Sequence, residues 1–438
     1  MTNAIIRTNN VTIAATAAFP FSYIKSCTTL TPFSIFSLTF FSCGKETPLV
    51  IWTDCPEMVS YIEFYNIAQN KSKAVVVYKE KLASSLPPAK DDRNPDIVIG
   101  SFLRNSRVKK NFASLNRVFN RRGINPSSIY EPLLEYGKVN GRQYLIPVSF
   151  NLPAMLFSSR NHELVGDDVL IEADRVRDSA ALFNQKDSDL FTKMGFAPSW
   201  NINFAYLLTK MNGADFDEKG NAFSWNQEVL DKTVAYLKDW TAGKNEGTSS
   251  EQDFSFKYLY APAYKLVDSD RCLFDYSRSD DFFNISSALT ENISFCWMAK
   301  KGKVFVNDDM TSLALFKKSK KTRQACNFVK WFLTESTQRN LLERSWQMNL
   351  ETQTFGICSG FSSLKSVNER VFPSYYKILL GKMPLESALV APLSLPSRWE
   401  SLKERVILPY LSEACNTDST VAVKSIDERI AAWRNQFN

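Results

Sequence analysis

The chain of 438 residues carries a single histidine, His162, and that scarcity sets the first limit on its chemistry. Histidine-rich metal clusters and nucleophile–histidine triads have almost nothing to work with. The eight cysteines include no Cys-x-x-Cys pair, so a zinc site is not expected, and spacing leaves any disulfide pairing open. Cys296 and Cys326 lie in apolar runs and read as buried thiols. The phrase 356–360, Gly-Ile-Cys-Ser-Gly, copies a nucleophile elbow with Cys358 as nucleophile. In that fold the histidine follows the nucleophile, whereas His162 precedes it, so a loop holding a buried thiol is the better reading. A carboxylate pair for glycoside hydrolysis stays open, because two acids can come from anywhere in a chain. No catalytic residue, metal ligand or cofactor is assigned.

Asp and Glu are absent from the first 42 residues, where Arg7 and Lys25 are the only cations. Within that stretch 27–41 is apolar and hydroxyl-rich, too short for a comfortable membrane span, and Ser42 then precedes Cys43. This is the layout of a secretory signal. Ser42 and Cys43 resemble a relaxed lipobox, in which the cysteine is lipidated and becomes the mature N-terminus, although Phe40 and Phe41 stand where Leu and Ala are usual. The expectation is a leader over 1–42 and a lipid on Cys43; plain secretion and an uncleaved anchor are the alternatives.

Internal repeats and low-complexity linkers are also missing. The basic run 317–323 has no interleaved aromatics, as single-strand binding would want, and reads as a solvated loop and helix start. A nucleic-acid partner is therefore not expected. Hydrophobic residues at 44% and charged residues at 23% describe a soluble globular chain, and its length is comfortable for two domains.

Residues 49–53, 74–78 and 95–101 read as strands, with Met58, Tyr61, Ile62 and Tyr65 at helical spacing after the first. That βαβ and β order predicts a parallel sheet, whose ligands sit at the carboxyl ends of its strands. Asp54, Glu57, Ser101 and Phe102 are thereby placed at a cleft edge. Further on, 144–148 and 154–157 read as two strands meeting at a polar joint, Ser149, Phe150 and Asn151, bracketed by Pro147 and Pro153, which is not expected inside a regular sheet. Such a joint suits a hinge between domains, or an ordinary bend within one sheet.

Helices are expected over Ile202, Ala205, Tyr206, Leu208 and Met211; over Leu230, Val234, Leu237 and Trp240; and over Ala325, Phe328, Val329, Phe332 and Leu333. Residues 213–223 resemble a calcium loop without its terminal Glu, so a hairpin turn is preferred. Strands are expected at 293–298 and 311–316, and Val423, Ile426, Ile430, Trp433 and Phe437 form one helical stripe at the end.

The segment 139–161, with Gly141-x-x-Tyr144-x-x-Pro147 running into an apolar strand and then Phe157, Ser158, Ser159, Arg160 and Asn161, resembles the first domain crossing of family 1 extracellular solute-binding proteins, the sugar-binding components of ABC importers. There the last phrase has Tyr rather than Phe. The opening strand with Leu49 and Trp52, the strand from Pro95 and Asp96 to Gly100, and the phrase 322–338 resemble the family as well. The resemblance implies an α/β, two-lobed periplasmic-binding-protein fold, class II-like, with three hinge crossings. The first lobe would take 43–148 and 311–348, the second 149–310 and 349–438, with the third crossing at 346–356.

It also implies a small-molecule solute, a carbohydrate first, held between the lobes, with ABC permease subunits as partners and a lipid holding the protein to the membrane at the periplasm or cell surface. A sugar cleft combines aromatic faces for the ring with polar side chains for the hydroxyl rim. The expected ligand contacts are Asp54, Glu57 and Phe102, Ser149 and Asn151 at the first crossing, Trp346 and Gln347 at the third, and Trp200, Trp297 and Trp399. Each of these tryptophans has core packing as its alternative. Two other readings share the fold: a lipoprotein that binds a macromolecule, and a binder of a non-sugar solute, for which Arg104 is the candidate anion contact.

Overall fold

The computed structural model describes residues 5–8, 11–14, 47–69, 72–120, 123–219, 222–347, 354–396 and 398–435. Cys43 lies outside them, and so does Phe437. No helix among the described residues is long and apolar enough to cross a membrane.

Two sheets organise the chain. The first runs in the order Phe361–Ser362, Leu145–Phe150, Thr311–Phe316, Ile97–Gly100, Leu49–Thr53, Ala74–Tyr78. Leu49–Thr53 is parallel to both its neighbours, as the βαβ pattern requires, and all five of its residues are buried. Thr311–Phe316 runs antiparallel between Ile97–Gly100 and Leu145–Phe150. A strand from late in the chain thus sits inside the first sheet, so the early and late segments fold as one lobe. Helix Met58–Ala68 lays Met58, Tyr61, Ile62 and Tyr65 inward, and Tyr65 meets Phe328 and Trp331 of helix Thr322–Phe332 edge-on.

The second sheet has the order Leu170–Glu172, Ile293–Ala299, Pro153–Ser158, Phe274–Arg278. Its far face packs on helices Ile202–Asn212 and Gln227–Asn245 through Phe204, Leu208, Leu237 and Trp240. Gly213, at φ +91°, caps the first of these helices, and the chain turns into the short hairpin Asp217–Lys219 and Ala222–Ser224. The chain is α/β and two-lobed.

The joint differs from its sequence reading. Ser149 and Phe150 are paired strand residues, opposite Ser362 and Phe361, and only Asn151 and Leu152 separate the two strands. Pro147 is tolerated because the ladder shifts register beside it, between Thr311 and Ser312. The first crossing is therefore two residues long. The second covers 306–310, between Val304–Phe305 and Thr311–Phe316.

The third differs too. Phe361–Ser362 is an edge strand of the first sheet, whereas the expected division gave everything after 348 to the second lobe. Leu389–Val390 pairs with Val304–Phe305, and Glu218 N–H donates to the Ser394 carbonyl at 2.9 Å, so the passage falls near 389–395. The aromatic residues Phe355, Phe361 and Phe372, buried and packed on one another, hold the intervening segment on the first sheet.

Candidate functional site

Between the lobes lies a cavity of about 940 Å³. Its first wall is made at the ends of parallel strands. Asp54 follows Leu49–Thr53 and accepts the Ser101 N–H at 3.0 Å, from the loop after Ile97–Gly100. That approach needs Gly100, where a Cβ would come within 2.2 Å of the Asp54 carboxylate. Beside it, one carboxylate oxygen of Glu57 accepts the Ser359 hydroxyl, while the other, Oε2, is buried without a hydrogen-bond partner. Phe102 holds a left-handed backbone, φ +56°, and packs against the second lobe's cluster around Trp399. A bulky residue in that region marks local strain.

The opposite wall is a charge network built on the second crossing, Asn307, Asp308 and Asp309. Asp308 pairs with Lys210 at 2.6 Å, accepts the Trp399 indole N–H at 3.0 Å, and accepts the Tyr206 hydroxyl. Burial alone would push its carboxyl up, but Lys210 and Lys403 together with the hydrogen bonds of Lys210 and Tyr206 hold it at about 2. The Lys403 ammonium lies 4.1 Å from the Tyr206 ring centre, and burial lowers its proton affinity. Arg278 grips Asp280 with two bonds of 2.9 Å and reaches Asp309 at 2.6 Å. Burial opposes the charged guanidinium, yet Asp309 and Asp280 raise its proton affinity on balance.

Asn151 joins these parts at the floor. Its carbonyl accepts Asn307 N–H at 3.0 Å, its amide donates to the Ser359 carbonyl at 2.8 Å, and its side-chain oxygen accepts the Ser279 hydroxyl at 2.7 Å.

Of the expected contacts, Asp54, Glu57, Phe102, Asn151 and Trp399 line this cavity, as does Ser101. The others do not. Ser149 is buried and donates to the Cys358 carbonyl. Trp200 stacks on Phe254 and donates to the Glu251 carbonyl, and Trp297 is wholly buried and donates to the Lys382 carbonyl. Trp346 rests on Tyr375 and Tyr376, and Gln347 bonds Glu343 on its own helix. Core packing holds for Trp297, wholly buried, and for Trp200, partly buried against other rings, whereas Trp346 is exposed on its helix beside Tyr375 and Tyr376. Trp399 has no exposed surface, and Arg104 is committed to the Tyr136 and Lys138 carbonyls. His162 pairs with Asp167 outside the cavity lining. Among the described residues no metal-ligand cluster occurs.

Sequence reading missed Tyr206, Lys210, Arg278, Asp308, Asp309 and Lys403. The polar triplet 307–309 between two apolar strands was the available signal. Nothing marked Lys210, a polar member of a helix read for its apolar stripe, or Lys403, in a stretch for which no element was read.

The strand order, the antiparallel late strand and the short crossings over a polar cleft define one architecture. The fold is that of the two-lobed solute-binding proteins. The solute-binding fold is also what structural comparison returns. The chain is similar to a cyclic α-maltosyl-1,6-maltose binding protein from Arthrobacter globiformis, at TM-score 0.58 and 14% identity over 88% of this chain and 96% of that one. It is similar to the galacto-N-biose/lacto-N-biose I-binding protein of an ABC transporter from Bifidobacterium longum, at TM-score 0.58 and 14% identity over 90% and 97%. A family 1 extracellular solute-binding protein from Alicyclobacillus acidocaldarius matches at TM-score 0.58 and 12% identity over 89% and 98%. No family model matches the sequence, and no curated protein does.

The cleft carboxyl of Asp54 is pushed up to about 6 from its ordinary 3.8, chiefly by burial, partly offset by the Ser101 and Cys55 hydrogen bonds. A carboxyl whose folded value is raised contributes stability below about pH 4 and loses it as pH rises through about 6. Asp54→Asn, which keeps an acceptor for Ser101, is therefore expected to match the parent at pH 4 and to exceed it at pH 8 by ~3 kcal/mol. Urea denaturation at the two pH values checks this; an equal effect at both would reject it.

Proposed function

We propose that the chain is an extracytoplasmic solute-binding protein that takes a saccharide between its lobes and delivers it to an ABC importer. The observation that carries this reading is Glu57 Oε2, a carboxylate oxygen buried in the cleft wall without a partner. Leaving such an acceptor unmade is costly, and a hydroxyl donor from a ligand would satisfy it. Asp54 and Asn151 lie on the same lining, within a fold shared by proteins that bind cyclic α-maltosyl-1,6-maltose and lacto-N-biose. No bond is made or broken. Ligand shifts the open and closed populations by its better contacts in the closed form. Lipid attachment at Cys43, permease partners and a place at the periplasmic or cell-surface face of a membrane belong to the same reading.

A fragment from Lys45 onward, screened by thermal shift against mono- and oligosaccharides, tests it. A ligand at 100 times its dissociation constant stabilises by ~2.7 kcal/mol. Glu57→Gln, by weakening a charge-assisted hydrogen bond, is expected to loosen a saccharide hit by roughly tenfold or more. A folded protein that ignores every saccharide would sink the proposal.

The second reading is a non-sugar solute, and the placement of the tryptophans favours it. Trp200, Trp297 and Trp346 are outside the lining and Trp399 is sealed within it, which leaves Phe102 as the half-buried aromatic of the first wall. Amino acids, polyols and phosphorylated compounds in the same screen separate the two.

A further inference from the structure

The cavity between the lobes carries a charge opposite to that of the chain. The whole sequence is +7 at pH 7, yet the cavity lining holds eight carboxylates and six cations. That surplus has a definite place. On the second wall Asp280, Asp308 and Asp309 meet Arg278, Lys210 and Lys403, through the ion pairs of Arg278 and Lys210 and the Lys403 ammonium over the Tyr206 ring. Glu80, Glu400 and Glu404 are matched in number by Lys81, Arg398 and Arg405. What remains is Asp54 and Glu57, three positions apart on the first wall.

Neither of these carboxylates has a cation within ion-pair distance among the described residues. Asp54 accepts the Ser101 N–H and the Cys55 thiol, and Glu57 accepts the Ser359 hydroxyl and keeps Oε2 buried without a partner. The two walls thus hold the same group in opposite states. Burial pushes both Asp308 and Asp54 up; Lys210 and Lys403 bring Asp308 down to about 2, whereas no cation offsets the burial of Asp54, which stands at about 6. A carboxylate taken out of water without a counter-charge is costly. A hydroxyl donor would fill the open position on Glu57 and leave the charge, while an ammonium group answers both. No three ligating side chains converge among the described residues, so a hydrogen-bonding cation fits the pair better than a metal ion. Lys403 is the complementary case: it lines the same cavity and makes no hydrogen bond among the described residues, so its donors are open to the oxygens of a solute.

We propose that the solute carries a protonated amine, which lies against Asp54 and Glu57 while its oxygen atoms face Lys403. An amino sugar is the class that joins the two features, and the inference rests on the reading of this cavity as a solute cleft. The low-dielectric walls focus the field of the two carboxylates into the cavity, so the amine is drawn in and a uronate or phosphate is turned away.

Titration calorimetry on the full chain at about pH 7, where Asp54 is mostly ionised, compares solutes that differ by an amine in place of a hydroxyl. The pairs are glucosamine with glucose, galactosamine with galactose, and the glucosamine disaccharide with cellobiose; glucuronate serves as the anion and putrescine as an amine without a sugar ring. The amine of a pair is expected to bind roughly tenfold tighter than its hydroxyl counterpart, and glucuronate most weakly. In Glu57→Gln and Asp54→Asn that ratio is expected to fall towards one, with thermal melts showing that each variant is folded; should neither fold, the ratios measured on the parent decide. A neutral sugar bound as tightly as its amine would overturn the proposal and leave the solute-binding reading standing. Binding of putrescine alone would uphold the amine and remove the saccharide. Silence from every amine would overturn the proposal.

Discussion

Asp308→Ala is expected to cost about 3–5 kcal/mol of unfolding free energy at pH 7, the range seen when one member of a buried ion pair is removed. The reason is what the mutation leaves behind. Lys210 loses its 2.6 Å partner, Lys403 loses the nearby charge that best supports its proton, and the Tyr206 and Trp399 donors lose their acceptor. A pH profile adds a signature that a simple cavity would not give. The Asp308 carboxyl sits at about 2, below its ordinary 3.8, so its contribution is present above about pH 4 and disappears as pH falls through about 2. The gap between parent and variant should narrow by ~2 kcal/mol across that acid window. A Lys210→Met variant and the double mutant complete the cycle, in which the double change should cost less than the two single costs combined. Urea midpoints that place the Asp308→Ala loss below about 1 kcal/mol, the level of an exposed pair, would mean that the network is solvent-screened.

Trp399→Ala is expected to be of similar size, about 3–5 kcal/mol, but through a cavity. The indole is fully buried among Tyr206, Phe216 and Phe223, with ring centres 6.2, 5.9 and 5.7 Å away, and its N–H is spent on Asp308. Trp399→Phe keeps most of the packing and loses the hydrogen bond, so its cost should fall to roughly 1–2 kcal/mol. The contrast between the two substitutions separates volume from the polar contact. Thermal melts and urea curves read both. A Trp399→Ala protein as stable as the parent would return this residue to the role of a ligand-facing ring.

Much of this fold was legible because its elements obey local rules. The buried run Leu49–Thr53, the spacing of Met58, Tyr61, Ile62 and Tyr65, and the stripe over Ala325, Phe328, Val329 and Phe332 follow from burial periodicity, and the structure places all of them as expected. The first cleft wall was legible for the same reason: in a parallel sheet the functional loops sit at the strand ends, so Asp54, Glu57, Ser101 and Phe102 could be named. The second wall was not. Asp308 gathers Lys210 from a helix, Trp399 from another and Arg278 by way of its neighbour Asp309, and no spacing in one dimension records such a meeting. The tryptophans misled because a ring in a loop phrase looks available. Trp200 and Trp297 are instead covered by phenylalanines, Phe254 and Phe361, contributed from elsewhere in the chain.

Asn151 has a mechanical consequence. A single side chain and its own carbonyl hold the second crossing through Asn307, the first-lobe turn through Ser359 and the second lobe through Ser279. Bonds that must survive a rotation are best placed on its axis, where displacement is smallest, and Asn151 stands where the strands of both sheets come within two residues of each other. The lobes would then turn like two blades on one rivet. Contacts made by Asn151 would persist through such a turn, while those that bridge the lobes elsewhere, Phe102 on the cluster around Trp399 and Glu218 accepting the Ser106 N–H at 3.1 Å, would be the ones it breaks.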